Sequence, residues 1–251
     1  MTINQLKVEP TFAVALCINK DNPWLEAAIK SISDQDDTDF EFLIAANACT
    51  DELWDRLKSL AKIDSRIRLF RTNVGQLAFN LNFLANSTMC DYIVRMDSDD
   101  ISEPSRLRIL RQALFHDPVD ILGSAVMLID HDGKDIGSIQ FPLTGSAIKS
   151  ALLTRTVFCH PSVVLRRKFL LDMRGYLGGF VSEDTDLWIR AVTASAKMKN
   201  ISEYLLRYRI HPNQSGGTRI GYAEVSSHWF REWLSQPSWY MSVSYTHLTL
   251  P

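Results

Sequence analysis

Three carboxylates occur within four residues at Asp97-Ser98-Asp99-Asp100, directly after the apolar run Tyr92 to Met96. Like charges in contact repel one another, and a buried carboxylate needs a partner. Asp97 and Asp99 can converge from a turn at a strand end onto one hard divalent cation. Mg²⁺ and Mn²⁺ prefer oxygen ligands of this kind and often bring substrate phosphates with them. The spacing therefore indicates a metal and phosphate site.

The alternative is a solvated turn that needs no cation. In that interpretation Ser98-Asp99-Asp100 lies in solvent, and Ser102 caps a helix that follows Pro104. A pair of acids separated by one residue occurs by chance in many acidic turns, so the surrounding elements must decide between the two interpretations.

A second group of acids, Glu183, Asp184 and Asp186, begins a helical pattern that continues through Leu187 and Trp188. Acids at a helix N-terminus are favourable charges worth about 0.3–1 kcal/mol each, which is a sufficient structural reason for their presence. A carboxylate that binds no metal can instead act as the general base for a hydroxyl group. On these residues alone the structural interpretation is the better one, and the metal motif shifts the balance toward the base.

The elements that must position these acids alternate between strand and helix. Strands are predicted at Phe12–Ile18, Phe40–Ala46, Ile67–Arg71 and Tyr92–Met96, and helices at Trp24–Ser33, Asp51–Ile63 and Gln76–Asn86. This alternation predicts parallel βαβ units with right-handed crossovers. Ligands of such open sheets bind outside the carboxyl ends of the strands, where the acids after Met96 lie. Asn19, Asn47 and Arg71 are expected at the same edge, and this favours the metal interpretation.

The pattern changes after Asp100. A helix is predicted at Pro104–His116, strands at Ile121–Ile129 and Asp135–Phe141 around the turn Asp130 to Gly133, a helix at Thr144–Leu153, a short strand at Val163–Leu165 and a last strand at Tyr204–Ile210 that ends in His211. Residues 1–240 are interpreted as a single domain. Residues 241–251 resemble translated cloning-adaptor DNA, so we expect a non-native tail there.

Composition limits the class of protein. The 251 residues are 46% hydrophobic and 22% charged with a formal net charge of −2, so no basic face for nucleic acid is required. The N-terminus lacks a signal-peptide core, and no apolar run reaches the ~18 residues that a bilayer span needs. We expect a cytoplasmic protein that binds no nucleic acid, with peripheral contact to the inner face of the membrane left open.

Four segments together resemble family 2 glycosyltransferases of the GT-A fold. They are FAVALCINKDNPWLEAAIKSI, YIVRMDSDDISEPSRL, HPSVVLRR, and SEDTDLWIRA followed by LLRYRIHPNQS. Each segment is modest alone, but the order and spacing of all four are hard to obtain by accident. The resemblance implies an α/β fold with a Rossmann-like, mostly parallel sheet flanked by helices and a smaller acceptor-side β/α part. Residues 1–100 would form the nucleotide-binding half and residues 101–240 the acceptor-binding half.

The resemblance also implies roles for individual residues. Asp97 and Asp99 match the carboxylates that meet a divalent metal, Mn²⁺ or Mg²⁺, and the nucleotide diphosphate, and His211 matches a further metal or diphosphate contact. Asp184 matches the catalytic base of inverting members, with Glu183 beside it. The nucleotide-binding residues implied by the match are Asn19, Asn47, Arg71, Gly75, Asp97 and Ser98.

One segment departs from the family pattern. Relatives carry acids after the second strand, where one of them contacts the nucleotide base, but this chain has Ala46 and Asn47. An Asn side chain both donates and accepts hydrogen bonds, whereas a carboxylate only accepts. The departure leaves the identity of the base, uracil or another, open.

The function expected from these residues is inverting transfer of a sugar from a nucleotide-sugar donor, expected to be UDP-linked, to a glycan or lipid-linked acceptor in surface polysaccharide synthesis. Two alternatives remain. A sugar nucleotidyltransferase would need a glycine-rich phosphate loop after the first strand, and Asn19 to Pro23 contains no glycine. A non-catalytic nucleotide-binding partner in a glycan-assembly complex would bind metal and nucleotide without releasing sugar.

Overall fold

The computed structural model describes residues 9–177, 181–212 and 219–235. In these residues the strands are β1 Phe12–Ile18, β2 Phe40–Asn47, β3 Ile67–Thr72, β4 Tyr92–Met96, β5 Ile101–Ser102, β6 Ile121–Ile129, β7 Asp135–Ile139, β8 Val164–Arg166 and β9 Met198–Arg209. The α-helices are α1 Leu25–Ser33, α2 Asp51–Leu60, α3 Leu77–Asn86, α4 Arg106–His116, α5 Gly145–Ala151, α6 Arg167–Asp172, α7 Glu183–Thr193 and α8 Arg219–Ser235. The predicted tail at 241–251 lies outside the described residues.

The nine strands of the described residues form one sheet in the order β3-β2-β1-β4-β8-β6-β9-β5, with β7 paired to β6. The strands β1 to β4 are parallel to one another, as the strand and helix alternation predicts. Helices cover both faces of this sheet. The side chains of β1 point alternately to the two faces of the sheet, with Phe12, Val14 and Leu16 in one apolar cluster and Ala13 and Ala15 in the other. Both faces are covered, so β1 is buried along its whole length.

The direction of the strands explains which residues meet at one edge. The strand β8 is antiparallel to both β4 and β6, and β9 is parallel to β6. The strand β9 therefore runs in the same direction as β4. His211, two residues beyond the end of β9, arrives at the same edge of the sheet as Asp97, which follows β4.

Several predicted boundaries were wrong. Ser102 does not cap a helix: it lies in the short strand β5, its Oγ accepts from Gln35 Nε2 (3.1 Å), and α4 begins later, at Arg106. The strand β9 begins at Met198 and not at Tyr204, because Met198 pairs with Ile121 of β6. The helix α6 and the strand β5 were not predicted, since such short elements have too little periodicity to recognise.

In the part of the chain that the structure describes, none of the helices has the length and apolarity required to cross a membrane.

Candidate active site

The acids after β4 form a compact group. Asp97, Asp99 and Asp100 each offer a carboxylate oxygen, and these oxygens all lie within 4.8 Å of one another. Asp100 is 1% exposed, and its Oδ1 accepts the N–H of Arg209 (2.8 Å). Its Oδ2 is buried and has no hydrogen-bond partner among the described residues. Burial, followed by repulsion from Asp97 and Asp99, raises the pKa of Asp100 well above its usual range. A bound cation would satisfy the buried oxygen and relieve this repulsion, so the group fits a hard divalent metal.

His211 joins this group from the end of β9. Its Nε2 lies 2.8 Å from Asp99 Oδ2, and the Trp24 ring packs against the imidazole with 4.8 Å between ring centroids. Arg209 holds the backbone of Asp99, because its Nε donates to the Asp99 carbonyl (2.7 Å). The structure therefore brings Asp97, Asp99 and His211 together.

A buried arginine lies beneath the acids. The side chain of Arg95 is 2% exposed, and its Nη2 donates to Asp97 Oδ1 (2.5 Å) while its Nη1 donates to the carbonyl of Met96. Burial is the main reason that the pKa of Asp97 is raised, and Arg95 opposes that shift. Sequence reasoning missed Arg95 as a site residue. The available signal was a charged residue inside the otherwise apolar strand β4.

The residues expected to bind the nucleotide lie along the same edge. Asn47 ends β2, is 4% exposed and keeps its Oδ1 without a hydrogen-bond partner in the described chain. Ser98 Oγ accepts from Asn22 Nδ2 (3.0 Å), and Asn19 is exposed directly after β1. Arg71 lies beside Ala46 near the end of β3, and its guanidinium pairs with Asp51 at the start of α2 (2.6 Å).

Gly75 approaches the loop after β2. A side-chain Cβ at this position would lie 3.3 Å from the Cβ of Ala48, a contact tighter than most real Cβ contacts. Ala48 has a positive φ of 49° and donates its N–H to Thr72 O (2.8 Å). A larger residue at 75 would therefore press on the loop that presents Asn47.

The second acid group occupies the first turn of α7. Asp184 is partly exposed, and its Oδ1 accepts from the N–H of Thr185 (2.6 Å) and from Thr185 Oγ1 (3.3 Å). Burial raises the pKa of Asp184, and the bonds from Thr185 and the charge of Arg95 oppose the rise. Burial and then repulsion from Asp184 raise the pKa of Glu183 to about 7. Burial thus raises the pKa of both acids of this pair, and that of Glu183 the more clearly.

The two acid groups are close enough to influence each other electrostatically. The charge of Asp97 contributes to the raised pKa of Glu183, and Arg95 acts on Asp97, Glu183 and Asp184 alike. The groups therefore share one region of the molecule around Arg95, although they come from the end of a strand and the start of a helix.

His160 lies between this pair and Tyr176. Its Nε2 is 3.0 Å from the Tyr176 hydroxyl, and its Nδ1 is 3.9 Å from Glu183 Oε1. Burial, assisted by the charge of Arg95, lowers the pKa of His160 well below its usual range, so its ring is neutral near pH 7. We assign it a packing and supporting role.

A second group of possible metal ligands lies in the exposed turn between β6 and β7. Asp130, His131 and Asp132 also offer ligand atoms within 4.8 Å of one another. Asp130 Oδ1, however, already accepts the N–H groups of Asp132 (3.0 Å) and Lys134 (2.9 Å), which is the bonding of an ordinary turn. The acids after β4 are the better candidate, because their buried oxygen has no such partner.

Comparison with known proteins identifies relatives of the chain. The sequence profile of glycosyl transferase family 2 matches residues 13–174. The O-antigen biosynthesis glycosyltransferase WbnJ of Escherichia coli is 32% identical over 235 residues, which is 92% of each chain. A UDP-Gal:alpha-D-GlcNAc-diphosphoundecaprenol beta-1,3-galactosyltransferase of Escherichia coli is 28% identical, over 88% of this chain and 84% of the relative.

Solved structures share the fold. S. aureus TarS 1-349 in complex with UDP-GlcNAc matches with a TM-score of 0.67 at 15% identity, and the match covers 83% of this chain and 61% of TarS 1-349. The complex of the same protein with UDP matches with a TM-score of 0.65 and also covers 61% of that chain. This chain therefore spans about three fifths of the length of those solved chains. The mixed sheet flanked by helices is the GT-A type predicted from the sequence.

Proposed function

The chain belongs to glycosyl transferase family 2, and from that premise we propose that it moves a sugar from a UDP-linked donor to a glycan or lipid-linked acceptor, with inversion at the anomeric carbon. The single observation behind this proposal is the pair of acid groups around Arg95. One group suits a cation, and the other suits a proton.

The proposed donor site lies at the carboxyl ends of β1 to β4. A UDP-linked donor is supported by the solved TarS complexes, which contain UDP and UDP-GlcNAc, and by the relative whose name specifies UDP-Gal. Asn47 is proposed to contact the base, because its buried carbonyl oxygen has no partner among the described residues. Asn19, Gly75 and Ser98 would border the rest of the nucleotide, and Arg71 would need to leave Asp51 to take part.

Asp97, Asp99 and His211 are the residues that would hold a divalent cation, with Asp100 completing the set. Such an ion supplies charge neutralisation for the diphosphate leaving group. Arg95 holds Asp97 in place from beneath, and Arg209 fixes the backbone of Asp99.

Asp184 is proposed as the general base. It would accept the proton of an acceptor hydroxyl while that oxygen bonds to the anomeric carbon, and the bond from that carbon to the diphosphate breaks on the opposite face. One displacement of this kind inverts the anomeric configuration. A raised pKa brings a carboxylate closer to the working pH, where a general base is most effective. Glu183, whose pKa lies at about 7, would keep a proton beside it.

The acceptor is proposed to belong to surface polysaccharide synthesis. This proposal rests on the names of two relatives, one an O-antigen biosynthesis enzyme and the other an enzyme acting on a diphosphoundecaprenol-linked sugar. An acceptor of the latter kind would bring the protein to the face of a membrane.

The proposal is tested by incubating the full chain with a panel of UDP-sugars, Mn²⁺ and diphosphate-lipid-linked acceptors, and by following UDP release and the anomeric configuration of the product. We expect acceptor-dependent UDP release with one donor and an inverted product. A retained configuration would contradict the mechanism. Nucleotide binding without release for any pair would favour the non-catalytic alternative.

A further inference from the structure

We propose that helix α8 positions the Asp184 base, and that Glu224 is the residue through which it does so. This inference rests on the proposed function, because it concerns the placement of the same carboxylate. Neither α8 nor Glu224 belongs to the metal group or to the acids of α7, so the role is one of positioning.

Glu224 binds the two residues that lead into α7. Ser182 directly precedes α7, and a serine there usually accepts a bond from the helix's own N–H groups. The Ser182 side chain makes no such bond. Its Oγ instead donates to Glu224 Oε2 (2.7 Å), and the N–H of Val181 donates to the same oxygen (3.1 Å). The two residues directly before α7 are therefore held by a neighbouring helix.

A second contact from α8 reaches α7 four residues further along. Asp186 is 1% exposed, its Oδ1 accepts from Arg231 Nη2 of α8 (2.7 Å), and its Oδ2 accepts from Arg190 Nε of α7 (2.7 Å). Arg190 also donates to the carbonyl groups of Met173 and Gly175 (2.6 and 2.8 Å). A buried carboxylate held by two arginines is costly to separate from either partner. Asp186 is thus an anchor between α8, α7 and the segment that leads to Tyr176.

Asp184 lies between these two anchors. Ser182 is two residues before it and Asp186 two residues after it, and both are held by α8. Ser182 is also 3.2 Å from His228 Nε2 of the same helix. A misplacement of about 1 Å in a reacting group can reduce a rate by ~100-fold. Contacts that fix the first turn of α7 from both sides therefore have a direct consequence for a base located in that turn.

The test compares Glu224→Ala with Glu224→Gln and with the control Glu203→Gln, which changes an exposed acid on β9. For Glu224→Ala we expect kcat for sugar transfer to fall by about 10–100-fold while the KM for the donor stays within about twofold, because the base is displaced and the donor site is intact. Glu224→Gln should recover most of the loss, since its amide oxygen still accepts from Ser182 and Val181. Glu203→Gln should match the native protein.

Amide hydrogen exchange in the first turn of α7 provides a readout that does not depend on activity. Exchange there should speed up in Glu224→Ala, and should stay slow in Glu224→Gln and Glu203→Gln. If Glu224→Ala fails to fold, Ser182→Ala removes the same bond from the other side, and it should lower kcat in the same direction with unchanged donor KM.

The outcomes separate the two proposals. Native-like kcat and native-like exchange in folded Glu224→Ala would overturn the positioning role, and so would an equal change in kcat and donor KM. Faster exchange in Glu224→Ala together with full activity in Asp184→Asn would keep the positioning contact and reject Asp184 as the base. Normal exchange in Glu224→Ala with inactive Asp184→Asn would do the reverse.

Discussion

The two acid groups of this site differ in what surrounds them, although burial raises pKa values in both. The group after β4 has three carboxylates in contact range and is approached by cationic or ring nitrogen groups from Arg95, Arg209 and His211. Its members repel one another, and this repulsion adds to burial in raising the pKa of Asp100. A bound cation would offset the repulsion within a cluster of this kind.

The pair at the start of α7 has different neighbours. Asp184 accepts bonds from Thr185, and among the described residues no lysine or arginine forms an ion pair with it. Burial dominates the raised pKa of Glu183, and a neutral His160 lies beside it. These surroundings suit carboxyl groups that hold or accept a proton. The comparison teaches that surroundings, more than residue type, decide whether a group of carboxylates suits a cation or a proton.

The largest effect of a single substitution that would separate the two groups is expected for Asp184→Asn. An amide cannot accept the hydroxyl proton, so we expect kcat for sugar transfer to fall by about 10²–10⁴-fold. The measurement is steady-state UDP release with donor and acceptor both saturating. A variant with native kcat would show that the pair at the start of α7 does not act as the base.

Metal removal addresses the other group. With EDTA present, we expect sugar transfer to stop and to return on addition of Mn²⁺, because without the ion the carboxylates after β4 repel the like-charged diphosphate, whose charge the ion would neutralise. The control is the melting temperature, which should change little if the ion serves only the site. Sugar transfer that persists at full rate in EDTA would show that the acids after β4 do not act through a bound cation.

A smaller effect is expected for the stability of Glu183→Gln. The pKa of Glu183 is about 7 when folded against an ordinary value of 4.5, so the folded state retains a proton that the unfolded chain loses. Its contribution to stability is therefore full below about pH 4.5 and is lost as pH rises toward about 7, on the order of 1–3 kcal/mol in total. The amide does not titrate. The free energy of unfolding of Glu183→Gln minus that of the native protein should therefore be larger at pH 8 than at pH 5.

Urea unfolding at the two pH values measures this difference. Asp172→Asn, at an exposed acid paired with Lys168, is the matched control and should show little pH-dependent difference from the native protein. A Glu183→Gln variant whose relative stability does not change between pH 5 and pH 8 would contradict the raised pKa.

The smallest effect is expected for His211→Gln. Asp97, Asp99 and Asp100 remain, so we expect the affinity for Mn²⁺ to weaken by about tenfold, the lower end of the range seen when partners of ligands are lost. The Mn²⁺ concentration that gives half-maximal transfer measures it. The rate at saturating Mn²⁺ should stay near that of the native protein, and a loss that Mn²⁺ cannot restore would move His211 out of the metal group.

Much of the fold was predictable because apolar runs such as Phe12–Ile18 are buried on both faces, and continuous burial is visible in sequence. The position of the acids after β4 was predictable because ligands of a parallel sheet bind at the carboxyl ends of its strands, whereas His211 was implied by the family resemblance. Asp100 was visible as a third acid, but its buried oxygen was not.

Other features required tertiary structure. In the sequence, Arg95 is a single charged residue within an apolar strand. Its ion pair with Asp97 and its electrostatic effect on Glu183 become visible only in the folded structure. The contact from Glu224 to Ser182 joins residues 42 positions apart, and no local pattern indicates it. The resemblance implies that Arg71 binds the nucleotide, and only the structure shows that Asp51 at the start of α2 pairs with it.

The most direct test of the central claim is the affinity for UDP, measured by titration calorimetry with and without Mn²⁺, for the native protein, Asp99→Asn and Asp184→Asn. The two acid groups are assigned separate tasks, so Asp184→Asn should keep the native dependence on Mn²⁺ and Asp99→Asn should lose it. Equal loss in both variants, or Mn²⁺ dependence retained in both, would contradict this division between a cation site and a proton acceptor.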